Sequence, residues 1–233
     1  MLTEGNTHIV YATGNNLIFR GRNGAPDFVY NQHVKKITAL GHLAGNEYVF
    51  GDETGVVAQF TFSPEGSFVL GKVRPGIAGP IKAIKFFHES KPAQQKMVII
   101  GDGGPGGQQA NALRVGNGID CGPITGSPKG LNCCANTKAE EQKVKTKFYS
   151  GGESGEVYMH EGTPFTGQGQ VLEHFNGDYI NGMAICDETN RLFVATSSKK
   201  IAVYDTETQT KICEVANAHS KGIYGCFKVP EGN

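Results

Sequence analysis

Three sets of residues in this chain of 233 have types and spacing that could do chemistry: the run Gly101-Asp-Gly-Gly-Pro-Gly-Gly107, the cysteines Cys121, Cys133 and Cys134, and the histidines His174 and His219. A glycine-rich loop can hold phosphate on its backbone N–H groups, but that needs a Gly-Lys-Ser/Thr ending and a helix to follow. Gly101–Gly107 has neither, so it reads as a long mobile loop between two strands. Thiolates hold zinc in tetrahedral sets built on C-x-x-C pairs. Cys133 and Cys134 are adjacent, and adjacent residues of a strand face opposite ways. The expectation is therefore small buried side chains and no metal. His174 and His219 are expected in structural hydrogen bonds, and Lys199-Lys200 in a solvated turn. No Ser–His–Asp or Cys–His arrangement can be assigned from spacing. The residues thus assign no catalytic group and no cofactor, and the chain is expected not to be an enzyme.

Charge excludes further classes. Lys and Arg total 22 and Asp and Glu total 22, a formal net charge of zero. A general grip on nucleic acid or on a membrane surface is not expected of such a chain. No apolar run reaches the roughly 18 residues of a bilayer span. The start, Met1-Leu-Thr-Glu-Gly-Asn-Thr-His8, lacks the basic flank and apolar stretch of a secretory signal, which predicts a cytoplasmic address and free thiols for all six cysteines, Cys186, Cys213 and Cys226 included. Hydrophobic residues at 38% and charged residues at 19% are too balanced for a disordered tail.

The elements that must position such residues are strands. No stretch places apolar residues at i, i+3, i+4 and i+7 over three turns. Short β-branched and aromatic runs appear instead, among them Tyr48-Val-Phe50, Val56–Phe62, Met97-Val-Ile-Ile100, Leu192-Phe-Val194 and Ile201-Ala-Val-Tyr204. Each is bounded by Gly, Asn, Asp, Ser or Pro, the pattern of an all-β domain. Gly is 33 of 233 residues, about twice the usual share, which suits a fold made of many turns.

One unit recurs: strand, small polar turn, strand. It is found at Ile9–Arg20, Tyr48–Phe60, Phe148–His160 and Leu192–Asp205, with a looser copy at Met97–Val115. Gly51, Gly101 and Gly151, read as turn glycines, stand 50 residues apart, and the next turn, near Thr196, follows 45 residues on. Periods of about 40–50 residues belong to four-stranded propeller blades. A further strand is predicted before each hairpin, at Ile37–Leu40, Ile84–Phe87, Leu131–Cys134 and Met183–Cys186, and again at Ile223–Phe227. A sandwich does not repeat strands in this fixed order. The reading is an all-β propeller with blades at 25–65, 66–116, 117–165 and 166–207, a partial blade at 208–233 and an N-terminal strand pair at 8–21. It describes about four blades in an incomplete or open ring, and a chain expected to be a fragment or a diverged short form.

This pattern resembles the WD-repeat family. Tyr204-Asp205 stands where that family has Trp-Asp, and Ala218-His219 where it has Gly-His; other blades end in Phe60-Thr61, Val115-Gly116 and His160-Glu161, and the chain has no Trp. Most of the family's internal His–Asp–Trp hydrogen-bond network is expected to be missing. More specifically, the chain is similar to the N-terminal propeller of the actin-interacting protein 1 family, WD-repeat partners of cofilin. Ser150-Gly-Gly-Glu-Ser-Gly-Glu-Val-Tyr-Met-His-Glu-Gly-Thr-Pro-Phe165 carries that likeness, with Val10–Arg20 and Val98–Gly104. The resemblance implies binding to actin filaments decorated with cofilin (ADF), promotion of severing and disassembly, and a place on the actin cytoskeleton. It implies contacts through Glu153, Phe165 and Tyr179. Thr166-Gly167 replace a Lys and a second aromatic, and Gly103–Gly107 replaces a charged loop, so a lower affinity for actin is implied. The alternative is a generic WD40 interaction scaffold in another cytosolic complex.

Overall fold

The computed structural model describes residues 7–63, 65–87, 96–115, 120–125, 127, 129–137, 147–161 and 167–227. Among them the regular structure is strand throughout, apart from a 3-10 turn at Asp187–Thr189. Blade A holds β1 (His8–Thr13), β2 (Asn16–Gly21) and β3 (Phe28–Tyr30). Blade B holds β4 (Ile37–Ala44), β5 (Glu47–Asp52), β6 (Val56–Phe62) and β7 (Phe68–Pro75). Blade C holds β8 (Ile81–Phe87), β9 (Lys96–Gly101), β10 (Ala110–Arg114) and β11 (Asp120–Thr125), and the short β15 (Gly167–Gln168) joins β11 in parallel. Blade D holds β12 (Leu131–Asn136), β13 (Lys147–Gly152), β14 (Glu156–Glu161) and β16 (Gln170–His174). Blade E holds β17 (Ile180–Cys186), β18 (Arg191–Thr196), β19 (Ile201–Asp205) and β20 (Lys211–Val215).

Within each blade successive strands pair antiparallel, and the first strands β4, β8, β12 and β17 lie side by side in chain order. The blades are therefore stacked radially around these inner strands, as an open propeller.

Strand periodicity explains the stacking. Alternate residues face opposite ways, so a middle strand supplies both neighbouring interfaces. In β9, Met97 and Ile99 enter the core shared with blade B, while Val98 and Ile100 enter the core shared with blade D. In β13, Phe148 faces blade C and Tyr149 faces blade E. Both faces of such a strand are buried, which is why these strands read as continuous apolar runs. The A–B interface is aromatic, with Phe19 stacked on Phe62 at 3.9 Å and on edge to Phe60. The B–C interface is aliphatic.

Three sequence expectations are corrected. Gly51, Gly101 and Gly151 are not in turns: Gly101 is the last residue of the second strand of its blade, and Gly51 and Gly151 are the last but one of theirs. A Cβ on Gly51 would lie 2.7 Å from Ile81 Cγ2, and one on Gly151 would lie 2.8 Å from Ile180 Cγ2. At Gly51 and Gly151 the next blade's first isoleucine packs against the backbone, whereas at Gly101 the Cβ position is closed by Pro80 O at 1.9 Å. The sheets also start and end later than the repeat frame drawn from sequence, because that frame groups an inner strand with the tail of the blade before it. Finally, Ile223–Phe227 forms no strand pairing among the described residues. It still lies beside β17: Asn181 Nδ2 donates to Ile223 O at 2.9 Å, much as Asn132 Nδ2 donates to Ile180 O at 3.4 Å. Ile223 thus takes the place that Ile180 takes beside blade D.

Candidate functional site

One hydrogen bond recurs in every four-stranded blade. The residue just after the second strand donates its N–H to the carbonyl just before the first: Glu53 to Lys36, Asp102 to Pro80, Glu153 to Gly130 and Ser197 to Tyr179, all at 2.9–3.0 Å. It locks each hairpin turn against the loop that enters the same blade. The turns and entry loops therefore share one rim. Gly55 (φ +88°) and Gly155 (φ +78°) complete the turns in the left-handed region that favours glycine.

Two of the three predicted contact residues fall on this rim. Glu153 occupies the blade D turn, and its carboxylate accepts from Lys82 Nζ at 3.2 Å; Lys82 also donates to Asn132 Oδ1 at 2.7 Å. Tyr179 occupies the blade E entry loop and is 53% exposed. Its backbone is held twice, by Ser197 Oγ accepting from its N–H at 3.0 Å and by Ser197 N–H donating to its carbonyl. The two positions are joined through the backbone: Phe175 N–H donates to Gly155 O at 2.7 Å, and Asp178 N–H to Phe175 O at 3.0 Å. Phe165 lies outside the described residues.

Rigidity of the rim comes from polar clamps that sequence reading missed. His33 Nε2 meets Asp52 Oδ2 at 3.0 Å. Burial would raise the Asp52 pKa, but hydrogen bonds from the Thr54 hydroxyl, the Val56 and Thr54 N–H groups and His33 outweigh it and hold the carboxyl below its usual value. In blade E the roles are exchanged: the entry loop supplies the acid, Asp178, which accepts from the Ser197 and Ser198 hydroxyls of the turn and pairs with Lys200 at 3.7 Å. Lys200 is therefore an ion-pair partner rather than a purely solvated side chain. Tyr204 is buried and its hydroxyl donates to Glu173 of blade D at 2.8 Å, while Asp205 caps the following turn by accepting from Glu207 and Thr208 N–H. The family's His–Asp–Trp set is not what holds these turns: other residue pairs supply the clamps. The available signal was an acid or histidine on either side of the turn, not a fixed dipeptide.

His219 is exposed and accepts from Lys221 N–H at 3.3 Å; His174 is exposed at the end of β16.

The glycine-rich loop is also more fixed than its sequence predicts. Gln109, buried, reaches into it: its amide nitrogen donates to Gly104 O and Gly107 O, and its oxygen accepts from Gly103 N–H at 3.0 Å. Gly104 N–H donates to Asp102 Oδ1 and Gly107 N–H to Gly104 O. These N–H groups are used internally and do not converge on a ligand.

The inner strands enclose a cavity of about 490 Å³ lined by Lys82, Lys85, Asn132, Asn181, Tyr224 and Phe227, among others. Cys133 and Cys134 also border it. Burial, with Cys134 and Cys226 nearby, pushes the Cys133 thiol well up, and burial pushes Cys134 up to about 12. Neither supplies a thiolate near neutral pH. Among the described residues no group of three or more His, Cys, Asp or Glu is placed to hold a metal ion.

No protein-family model matches the chain, and no curated protein matches it. Solved structures do match, 1297 chains of them, so the fold is shared too widely to point to one activity. One is the crystal structure of Saccharomyces cerevisiae Sqt1, with a TM-score of 0.76 at 14% identity over 98% of this chain. This chain spans 65% of the length of Sqt1. At that identity the likeness concerns architecture alone, and it agrees with the radial sheets, the rim and the repeated inner strand: the chain has a WD40-type β-propeller fold with an open ring.

Proposed function

We propose that the chain is a protein-binding propeller whose rim grips cofilin-decorated actin filaments and promotes their disassembly, in the cytoplasm on the actin cytoskeleton. The observation that carries the reading is Tyr179: a half-exposed aromatic on a loop whose backbone is fixed at both its N–H and its carbonyl. A rigid aromatic offers apolar contact area at low entropic cost. Beside it along the rim, Lys82 orients the Glu153 carboxylate, which suits it to a basic group on a partner. Support for actin in particular comes from the Ser150–Phe165 motif.

Co-sedimentation with filaments, with and without cofilin, tests this. The chain should pellet more with cofilin present, and Tyr179→Ala should weaken pelleting about tenfold. Thermal unfolding of that variant should be unchanged, since the ring is exposed. Absence of pelleting in both conditions defeats the actin reading and leaves a scaffold for another complex. The replacement of a Lys and an aromatic by Thr166-Gly167 is the observation that favours this second reading.

A further inference from the structure

The cavity between the inner strands has an unbalanced lining. It presents two ammonium groups, Lys82 and Lys85, and three carboxamides, Asn132, Asn136 and Asn181, but no carboxylate. The charge of Lys82 is met from outside the lining by Glu153. Its second acceptor, Asn132 Oδ1, is consumed by the same lysine. Asn132, Asn136 and Asn181 spend their N–H donors on the carbonyls of Ile180, Phe86 and Ile223. Lys85 is left. It is half-buried, borders Cys133 and Cys134, and has no carboxylate within ion-pair distance among the described residues. The thiols of Cys133 and Cys134 stay protonated, so among the described residues nothing supplies the negative charge.

A half-buried ammonium loses part of its hydration, and its charge is stabilised most by an anion placed in the same low-dielectric space. The lining also includes Tyr224 and Phe227 of the Ile223–Phe227 segment, 87% and 86% exposed. Two exposed aromatics next to a cationic pocket suit an extended peptide better than a bare ion.

We propose that this cavity is a binding site for a carboxylate presented by an acidic peptide segment, with Lys85 as its ion-pair anchor and Tyr224 and Phe227 as apolar contacts beside it. The site is separate from the Glu153–Tyr179 rim and does not rest on the actin reading.

The test is titration of the full chain with fluorescein-labelled hexaglutamate, followed by anisotropy, with unlabelled free glutamate as competitor. Hexaglutamate should bind saturably, Lys85→Gln should weaken it at least tenfold, and Lys85→Arg should restore it to within about threefold, with unchanged melting temperatures. Lys72→Gln, on the exposed face of β7, should leave binding unaltered. Competition by free glutamate at the peptide's own affinity, with the same Lys85 dependence, keeps the carboxylate site but assigns it to a small ligand. No binding, equal binding by Lys85→Gln, or equal loss in Lys72→Gln overturns the proposal.

Discussion

Tyr149 carries its hydroxyl into the core between blades D and E, where the oxygen is buried and meets no hydrogen-bond partner among the described residues. Burial, with Glu161 and Asp205 nearby, raises its pKa far above that of a free phenol. An orphaned buried hydroxyl costs its desolvation and returns nothing. Tyr149→Phe should therefore stabilise the protein by about 1 kcal/mol, read by urea unfolding. His160 offers the opposite test, through pH. The backbone of Gly169 closes over its ring, so close that a Cβ there would lie 2.4 Å from Cε1. Burial drives the imidazole down to about 4 from its usual 6.5. The folded state then stays neutral where the unfolded chain takes up a proton. Its contribution is fully present above pH 6.5 and is lost as pH falls towards 4, by up to about 3 kcal/mol. Asp52 acts in a lower window, below the usual carboxylate pKa, because its own is depressed. Between pH 7 and 4.5, unfolding free energies should fall more steeply for the wild type than for His160→Asn; equal slopes would refute the assignment.

Single elements show what sequence reading could and could not reach. The inner strands at Ile37, Leu131 and Met183 were legible because apolar alternation and flanking turn residues are local signals. The glycine spacing was legible too, but not its cause. Whether Gly151 bends a turn or clears space for Ile180 depends on a contact between residues of different blades, which no local pattern encodes. Gly151→Val should therefore push blades D and E apart and cost about 3 kcal/mol, while the same change at exposed Gly177 should cost mainly its backbone strain. The β9–β10 loop teaches the same lesson. Its glycines suggested mobility, yet Gln109, beyond their run, supplies the frame. Gln109→Ala takes the partner from Gly103 N–H and Gly107 O, while Gly104 O keeps Gly107 N–H, and should cost about 1–2 kcal/mol. Faster hydrogen exchange confined to residues 102–109 would accompany it. Glu153 and Tyr179 are expected contacts only through the family resemblance, whereas Lys82 and Asn132 escaped notice, since their tie to Glu153 joins the inner strands of two blades to a turn.

At the scale of the molecule, the apolar cores are four interfaces between five blades in chain order, with no single centre. Blades B, C and D each bury both faces against a neighbour, while A and E each contribute to one of these cores. Stability in such a stack is close to a sum of nearest-neighbour terms, as in linear repeat proteins. Cooperativity should then weaken at the ends. Native-state hydrogen exchange should show the greatest protection in β9 and β13, whose alternate residues serve two cores, and the least in blade E's outer strand β20, which is exposed along its length. The same logic sets the reach of a mutation. Tyr204 sits in the D–E core and its hydroxyl bonds Glu173 across that interface. Tyr204→Ala removes a large buried ring and should weaken the interface by about 3–5 kcal/mol. Amides of β17–β19 should then exchange by local opening, while those of β5 and β6, three interfaces away, keep their protection. Loss of protection in blade B to the same extent would mean that the five blades unfold as one unit, and that the ring transmits stability around its whole arc.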